Sequence, residues 1–188
     1  FSWTPITPRT ERTTSNATYY SDVRVPASML VGEETRVGGL LTTQLITSAS
    51  CSDRRACGGS LREVYDWSAK RELLDLPDVR RGLGEIHATY RLNELLNWQV
   101  AAATGDVDIA DASATKVFAT ERIQRVGRIV DEIVGAHGDP GDPETAALMR
   151  WLDVQVKRNV VITFGGGVNE VMRELIAVAG LGLPKVPR

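Results

Sequence analysis

The strongest constraint on the fold lies between about Ala110 and Val134, where Val126, Ile129, Val130, Ile133 and Val134 recur at three- and four-residue steps. That spacing lays one apolar stripe along a helix, and a helix of this kind needs neighbours to bury it. Three further segments supply them. Asp75-Leu76-Pro77-Asp78 reads as a start signal, a capping acid followed by proline in the first turn. Val79, Leu83, Ile86 and Tyr90 follow on one face, and Leu92, Leu95, Leu96 and Trp98 continue the helix to about Thr104-Gly105. Asp142-Pro143-Glu144 opens another helix, with Ala147, Trp151, Val154 and Val161 along one side. Residues 36–70 read as the first helix, with Leu40, Leu41, Leu45, Leu61, Val64 and Tyr65 as core candidates. Gly58-Gly59 weakens it by roughly 1 kcal/mol per glycine relative to alanine, so a kink or a close helix contact is expected there. The fold class expected is mainly α: an antiparallel helical bundle joined by short turns.

Residues 1–33 differ. Threonine, tyrosine and valine favour extended structure, while Pro5, Pro8 and Pro26 confine the pieces to edges or strand ends. Two or three such strands do not stand alone, so they are expected to pair with sheet that is not among these residues. Bulk properties narrow the function. A net charge of −2 over 188 residues, with no basic run, argues against nucleic acid as a partner. No apolar stretch approaches the roughly 20 residues of a membrane span. Cys51 and Cys57 match no zinc spacing and form no disulfide framework, which fits a reduced, cytoplasmic setting. His87 and His137 are the only histidines, too few for a multi-histidine metal site, and His87 reads as a solvated or interface imidazole.

One stretch has chemistry beyond packing. Arg158 to Arg173 runs from an apolar tail through Gly165-Gly166-Gly167 into a new helix with Asn169 and Glu170 in its first turn. Glycines permit positive φ and close approach to the main chain, and a helix start leaves free N–H groups. Plain chain reversal is the first reading of such a turn, and a ligand site the second. The helix that follows ends near Ala179-Gly180, where glycine supplies a left-handed cap.

Gly166-Gly167-Val168-Asn169-Glu170-Val171-Met172-Arg173, followed by Ile176-Ala177 and Gly180-Leu181-Gly182-Leu183-Pro184, resembles the C-terminal signature of the flavin-dependent acyl-CoA dehydrogenases. Tyr20-Ser21-Asp22-Val23-Arg24-Val25-Pro26 and Leu30-Val31-Gly32-Glu33 are similar to the end of that family's middle β-domain. The resemblance implies a boundary between 1–33, the incomplete end of a β-domain, and 34–188, a C-terminal helical bundle. It also implies that the N-terminal helical domain and most of the β-barrel lie outside this sequence. FAD is the implied cofactor and an acyl-CoA the implied substrate, desaturated between its α and β carbons.

Family members carry the proton-abstracting carboxylate at one of two places, and the matching residues here are Gly166 and Ser48. A serine hydroxyl without an adjacent base does not replace a carboxylate, so the resemblance implies no catalytic residue in this chain. It implies flavin contacts at Gly166, Gly167, Asn169 and Glu170. Glu132 and Gly135 fall where many members contact the adenosine half of an FAD bound in a neighbouring subunit. Val168 stands where a threonine is expected, and Lys70-Arg71-Glu72-Leu73-Leu74 lacks the family's Arg-x-x-Phe-Gly element. Glu85-Ile86-His87-Ala88, Leu95-Leu96-Asn97-Trp98 and Phe164-Gly165-Gly166-Gly167 resemble a bacterial branch acting on CoA thioesters of steroid side chains. In that branch two homologous polypeptides form an α2β2 tetramer and one of them has lost the base. The implied partner is therefore a homologous subunit. The rival readings are a catalytic homotetramer using Glu33 or Glu34, and a flavin-free helical interaction module.

Overall fold

The computed structural model describes residues 1–6, 15–30, 54–102 and 108–185, and its contacts divide into two units, Phe1–Leu41 and Thr42–Arg188. The first unit contains an antiparallel pair, β1 (Ser2–Ile6) and β2 (Ser15–Tyr19), with Ser2 opposite Tyr19 and Ile6 opposite Ser15. Trp3, Ile6 and Tyr19 are more than half exposed, because among the described residues no second layer covers either face of the two strands. The expected strand over Tyr20–Pro26 is not present. The chain bends at Ser21 and Asp22, Asp22 takes a φ of 50°, and a 3-10 turn follows at Ala27–Met29. Extended residues become a strand only by exchanging hydrogen bonds with a neighbour, and no described strand pairs with this segment. The boundary expected at 33/34, and Glu33, Glu34, Leu40, Leu41, Leu45 and Ser48, lie outside the described residues.

The second unit is helical: α1 (Arg54–Lys70), α2 (Pro77–Ala101), α3 (Ile109–His137), α4 (Pro143–Asn159) and α5 (Asn169–Leu175), the last continuing as a π-helical turn through Ile176–Gly180. Helix α3 is the centre and touches every other helix. Its stripe Val126, Ile129, Val130, Ile133 and Val134 is fully buried and joins Val64, Trp67, Val79, Leu83, Ile86 and Leu152 in one core. Helices α2 and α3 approach closely at Gly82, where a Cβ would fall 2.9 Å from both Ile129 and Ile133. None of the described helices is long and apolar enough to cross a membrane.

Several expectations are corrected in detail. Tyr65 is 48% exposed and the core face of α1 runs through Leu61, Val64 and Trp67. The helix is continuous across Gly58-Gly59, and a Cβ on Gly59 would lie 4.0 Å from Trp151, an ordinary close helix contact. Asp75 does not cap α2. Leu76 occupies that position without a side-chain bond, and the first-turn acid is Asp78, whose carboxylate meets His137 Nε2 at 2.6 Å. Asp142 does cap α4, accepting from Thr145 N at 3.1 Å and from Thr145 Oγ1 at 2.7 Å. Trp67 Nε1 donates to the same Thr145 hydroxyl at 3.1 Å, and the Arg71 guanidinium lies over the Trp67 ring and bonds Asp142.

The buried side of α4 is not the one expected. Ala147 and Trp151 are exposed, and Val161 lies beyond the helix end and is also exposed. Thr145, Leu148 and Leu152 face the core, and Val156 packs on Gly127 of α3. The left-handed cap falls at Gly182 (φ 65°), two residues after Gly180, with Leu183 N bonding the Ala177 carbonyl at 2.9 Å.

Two outcomes follow from this packing. Leu152, 1% exposed, should cost about 2–5 kcal/mol on truncation to alanine, while Ala147→Ser should change stability by less than about 0.5 kcal/mol; denaturant midpoints of the full-length chain check both. The bonds from the Thr145 side chain and backbone, with Arg71 adding to them, hold the Asp142 carboxyl at about 2, below its ordinary 3.8. A depressed carboxyl contributes stability above its unfolded value and loses it as pH falls through the folded one. Asp142→Ala should therefore flatten the loss of stability between about pH 4 and pH 2, read from thermal midpoints across that range.

Candidate functional site

Helix α4 stops at Asn159, earlier than the apolar run suggests, and a 3-10 turn at Val161–Thr163 leads into the glycines. Val160, Val161 and Phe164 point outward, Phe164 being 74% exposed. Gly166 and Gly167 take φ values of 69° and 111°, so the chain turns there through backbone that side chains disfavour. Helix α5 then starts at Asn169, preceded by Val168, which offers no side-chain cap.

What holds this turn is a residue the sequence does not advertise. Lys116, on the N-terminal half of α3, is only 7% exposed. Its ammonium donates to the Thr163 carbonyl at 3.0 Å, the Gly167 carbonyl at 2.6 Å and Asn169 Oδ1 at 2.6 Å. An ammonium has three donors, and these are three acceptors. Thr120 Oγ1 adds a bond to Asn169 Oδ1 at 3.1 Å, and Asn169 Nδ2 donates to Glu121 Oε1 at 3.4 Å. Glu121 also pairs with Arg173 at the surface. Burial pushes the Lys116 ammonium below its ordinary 10.5, and the charges of Glu170 and Glu121 oppose that shift. A signal for Lys116 was available. Lys116, Thr120, Ile123, Gly127, Val130 and Val134 are spaced by four, three, four, three and four, so the lysine continues the buried face of α3.

The expected site residues separate into two groups. Gly166, Gly167, Asn169 and Glu170 gather at the turn. The Asn169 side chain is 3% exposed and faces α3, while Glu170 is exposed in the first turn of α5. Glu132 and Gly135 are exposed near the other end of α3, and a Cβ on Gly135 would meet nothing within 4 Å. From Lys116 to Glu132 is 16 residues, about 24 Å along the axis at 1.5 Å per residue. The two groups are therefore well separated along the helix. At the turn itself, position 166 is backbone only, and each donor of the Lys116 ammonium is already committed. The arrangement can present a rigid main-chain edge, and it places no carboxylate at position 166.

The protein matches the family model described as acyl-CoA dehydrogenase, C-terminal domain, over residues 49–181. It is 54% identical to the acyl-CoA dehydrogenase FadE29 of Mycobacterium tuberculosis (strain ATCC 25618 / H37Rv) and 37% identical to FadE26 of the same organism. Each alignment covers 100% of this chain and 50% of the relative, so the chain spans about half the length of the curated relatives it matches. Among solved structures, the ChsE4-ChsE5 complex from Mycobacterium tuberculosis superposes with a TM-score of 0.78 at 35% identity, over 99% of this chain and 50% of that one. The Tcur3481-Tcur3483 steroid ACAD gives a TM-score of 0.79 at 36% identity, over 98% and 49%.

The two glycines should differ in tolerance. A φ of 69° lies in the left-handed region that side chains visit at about 1–2 kcal/mol, whereas 111° lies outside it. Gly167→Ala should lower the thermal midpoint more than Gly166→Ala, at a cost of up to about 3 kcal/mol.

Proposed function

The chain belongs to the acyl-CoA dehydrogenase family, as its C-terminal domain, and from that premise we propose that it is part of the non-catalytic subunit of an FAD-dependent heterotetramer. The substrate on this reading is a CoA thioester of a steroid side chain, converted to the α,β-unsaturated thioester. The heteromeric character of the solved relatives, and the word steroid in the name of one, support the partner and substrate class.

The observation that carries the reading is a turn kept without a base. Gly166 and Gly167 adopt their positive φ values over Lys116, but the position at which many family members hold a carboxylate is Gly166. The outer face of the turn fits one wall of a flavin site. Gly165 is exposed, a Cβ there would meet only the Ile162 carbonyl oxygen at 3.9 Å, and Phe164 beside it presents an open apolar ring. A bound FAD would supply the hydride acceptor for the β-carbon, and this chain's part would be to wall and orient that site from the turn. Removal of the α-proton is left to a carboxylate of the partner, since Gly166 and Ser48 supply none at the positions where family members hold it.

Turnover with an artificial electron acceptor tests this. The full-length chain alone should not oxidise steroid acyl-CoA, the complex with the homologous subunit should, and removing that subunit's carboxylate should abolish the activity. The purified complex should hold close to one FAD per two chains. Robust turnover with full flavin occupancy by this chain alone would overturn the reading and bring Glu33 and Glu34 forward as bases.

A further inference from the structure

We infer that Lys116 is the positioning residue of the glycine turn: its ammonium fixes both ends of the run Gly165-Gly166-Gly167, and the first residue of α5, against α3. The Thr163 carbonyl lies two residues before the first glycine and the Gly167 carbonyl belongs to the last, and the lysine bonds both, at 3.0 and 2.6 Å. Its third bond goes to Asn169 Oδ1, the opening residue of α5. Without such a tie, three consecutive glycines carry the largest backbone freedom of any tripeptide.

The residue type itself argues for this role. A charged amine 7% exposed is costly to bury unless fixed dipoles replace its water, and an apolar side chain of like length would fill the space at lower cost. All three bonded acceptors are neutral, so the lysine is not there to complete an ion pair. Glu121, the neighbouring carboxylate, is engaged by Arg173 and by Asn169 Nδ2. What the lysine has that methionine lacks is three donors aimed at the turn. The inference rests on the proposed function only for what the outer face of the turn touches; the tie between α3 and the turn stands apart from it.

The experiment uses the full-length chain purified with its partner subunit and FAD, comparing wild type with Lys116→Met, Asn169→Ala and the double variant. Amide hydrogen exchange over residues 160–172 should be at least tenfold faster in Lys116→Met, with α2 and α4 unchanged, because local opening is read segment by segment. The visible circular dichroism of the bound flavin should change in the same variant, a signature that loss of packing elsewhere would not produce. Asn169→Ala should move both readouts in the same direction by less, and the double variant should be no worse than Lys116→Met, since both act through one network. Unchanged protection at the turn, or protection lost equally across the bundle, would overturn the inference; a loosened turn beneath an unaltered flavin spectrum would uphold the tie and overturn the placing of the flavin on the outer face of the turn. Should Lys116→Met fail to accumulate, Asn169→Ala decides by the same two readouts. A wild-type protein that retains no flavin refutes the proposed function, and the exchange comparison still decides the role of Lys116.

Discussion

The structure depends on the burial of one helix along most of its length. Helix α3 is in contact with every other helix, and its buried face changes character midway. From Ile123 to Val134 that face is apolar and is covered by α1, α2 and α4 through ordinary hydrophobic contact. From Ser113 to Thr120 it includes Ser113, Thr115, Lys116 and Thr120, all buried, and contact alone does not satisfy them. The hydroxyl of Thr115 bonds the Asp111 carbonyl one turn back on its own helix, and the single proton of Thr120 is shared between the Lys116 carbonyl and Asn169 Oδ1. Lys116 must look elsewhere, and the acceptors it finds are those of the glycine turn and Asn169. The polar half of α3 and the turn thus solve one another's hydrogen bonding, and α5 is placed as a consequence.

How far this was legible from sequence divides along the same line. The stripe on α3 was readable because its apolar residues are β-branched and uninterrupted at helical steps, and burial confirms each of them. The Asp142-Pro143 start of α4 was readable because acid and proline together encode a cap. The face of α4 was not. Trp151 and Leu152 are adjacent, about 100° apart on the helix, and the larger apolar residue took the weight in the reading while the smaller one took the core. Nor was Lys116, since a lone lysine on a helix ordinarily lies on a solvated face. Only its place in a buried series of six would have singled it out. The missing strand over Tyr20–Pro26 has another cause: local preference favours extended residues, but pairing is not a local property, and the chain bends at Ser21 and Asp22.

On the candidate site, the glycines singled out the turn, and its side chains were assigned by resemblance. The structure distributes those residues differently. Asn169 looks inward to Lys116, Glu170 looks outward, and Glu132 with Gly135 stands near the far end of the same helix. The two groups of expected contacts thus lie toward opposite ends of one helix, the first on the turn packed over its N-terminal half and the second exposed near its C-terminal end.

The tie beneath the turn separates shape from chemistry. Lys116, Thr120 and Asn169 set the path of the backbone from the inside, and Val160, Val161 and Phe164, all exposed, take no part in that network. Those three positions are therefore free to vary in size and polarity without altering the trace of the main chain. A protein built this way can change what its rim presents by drift at these positions while its scaffold stays fixed, so that surface chemistry and foldability evolve on different residues.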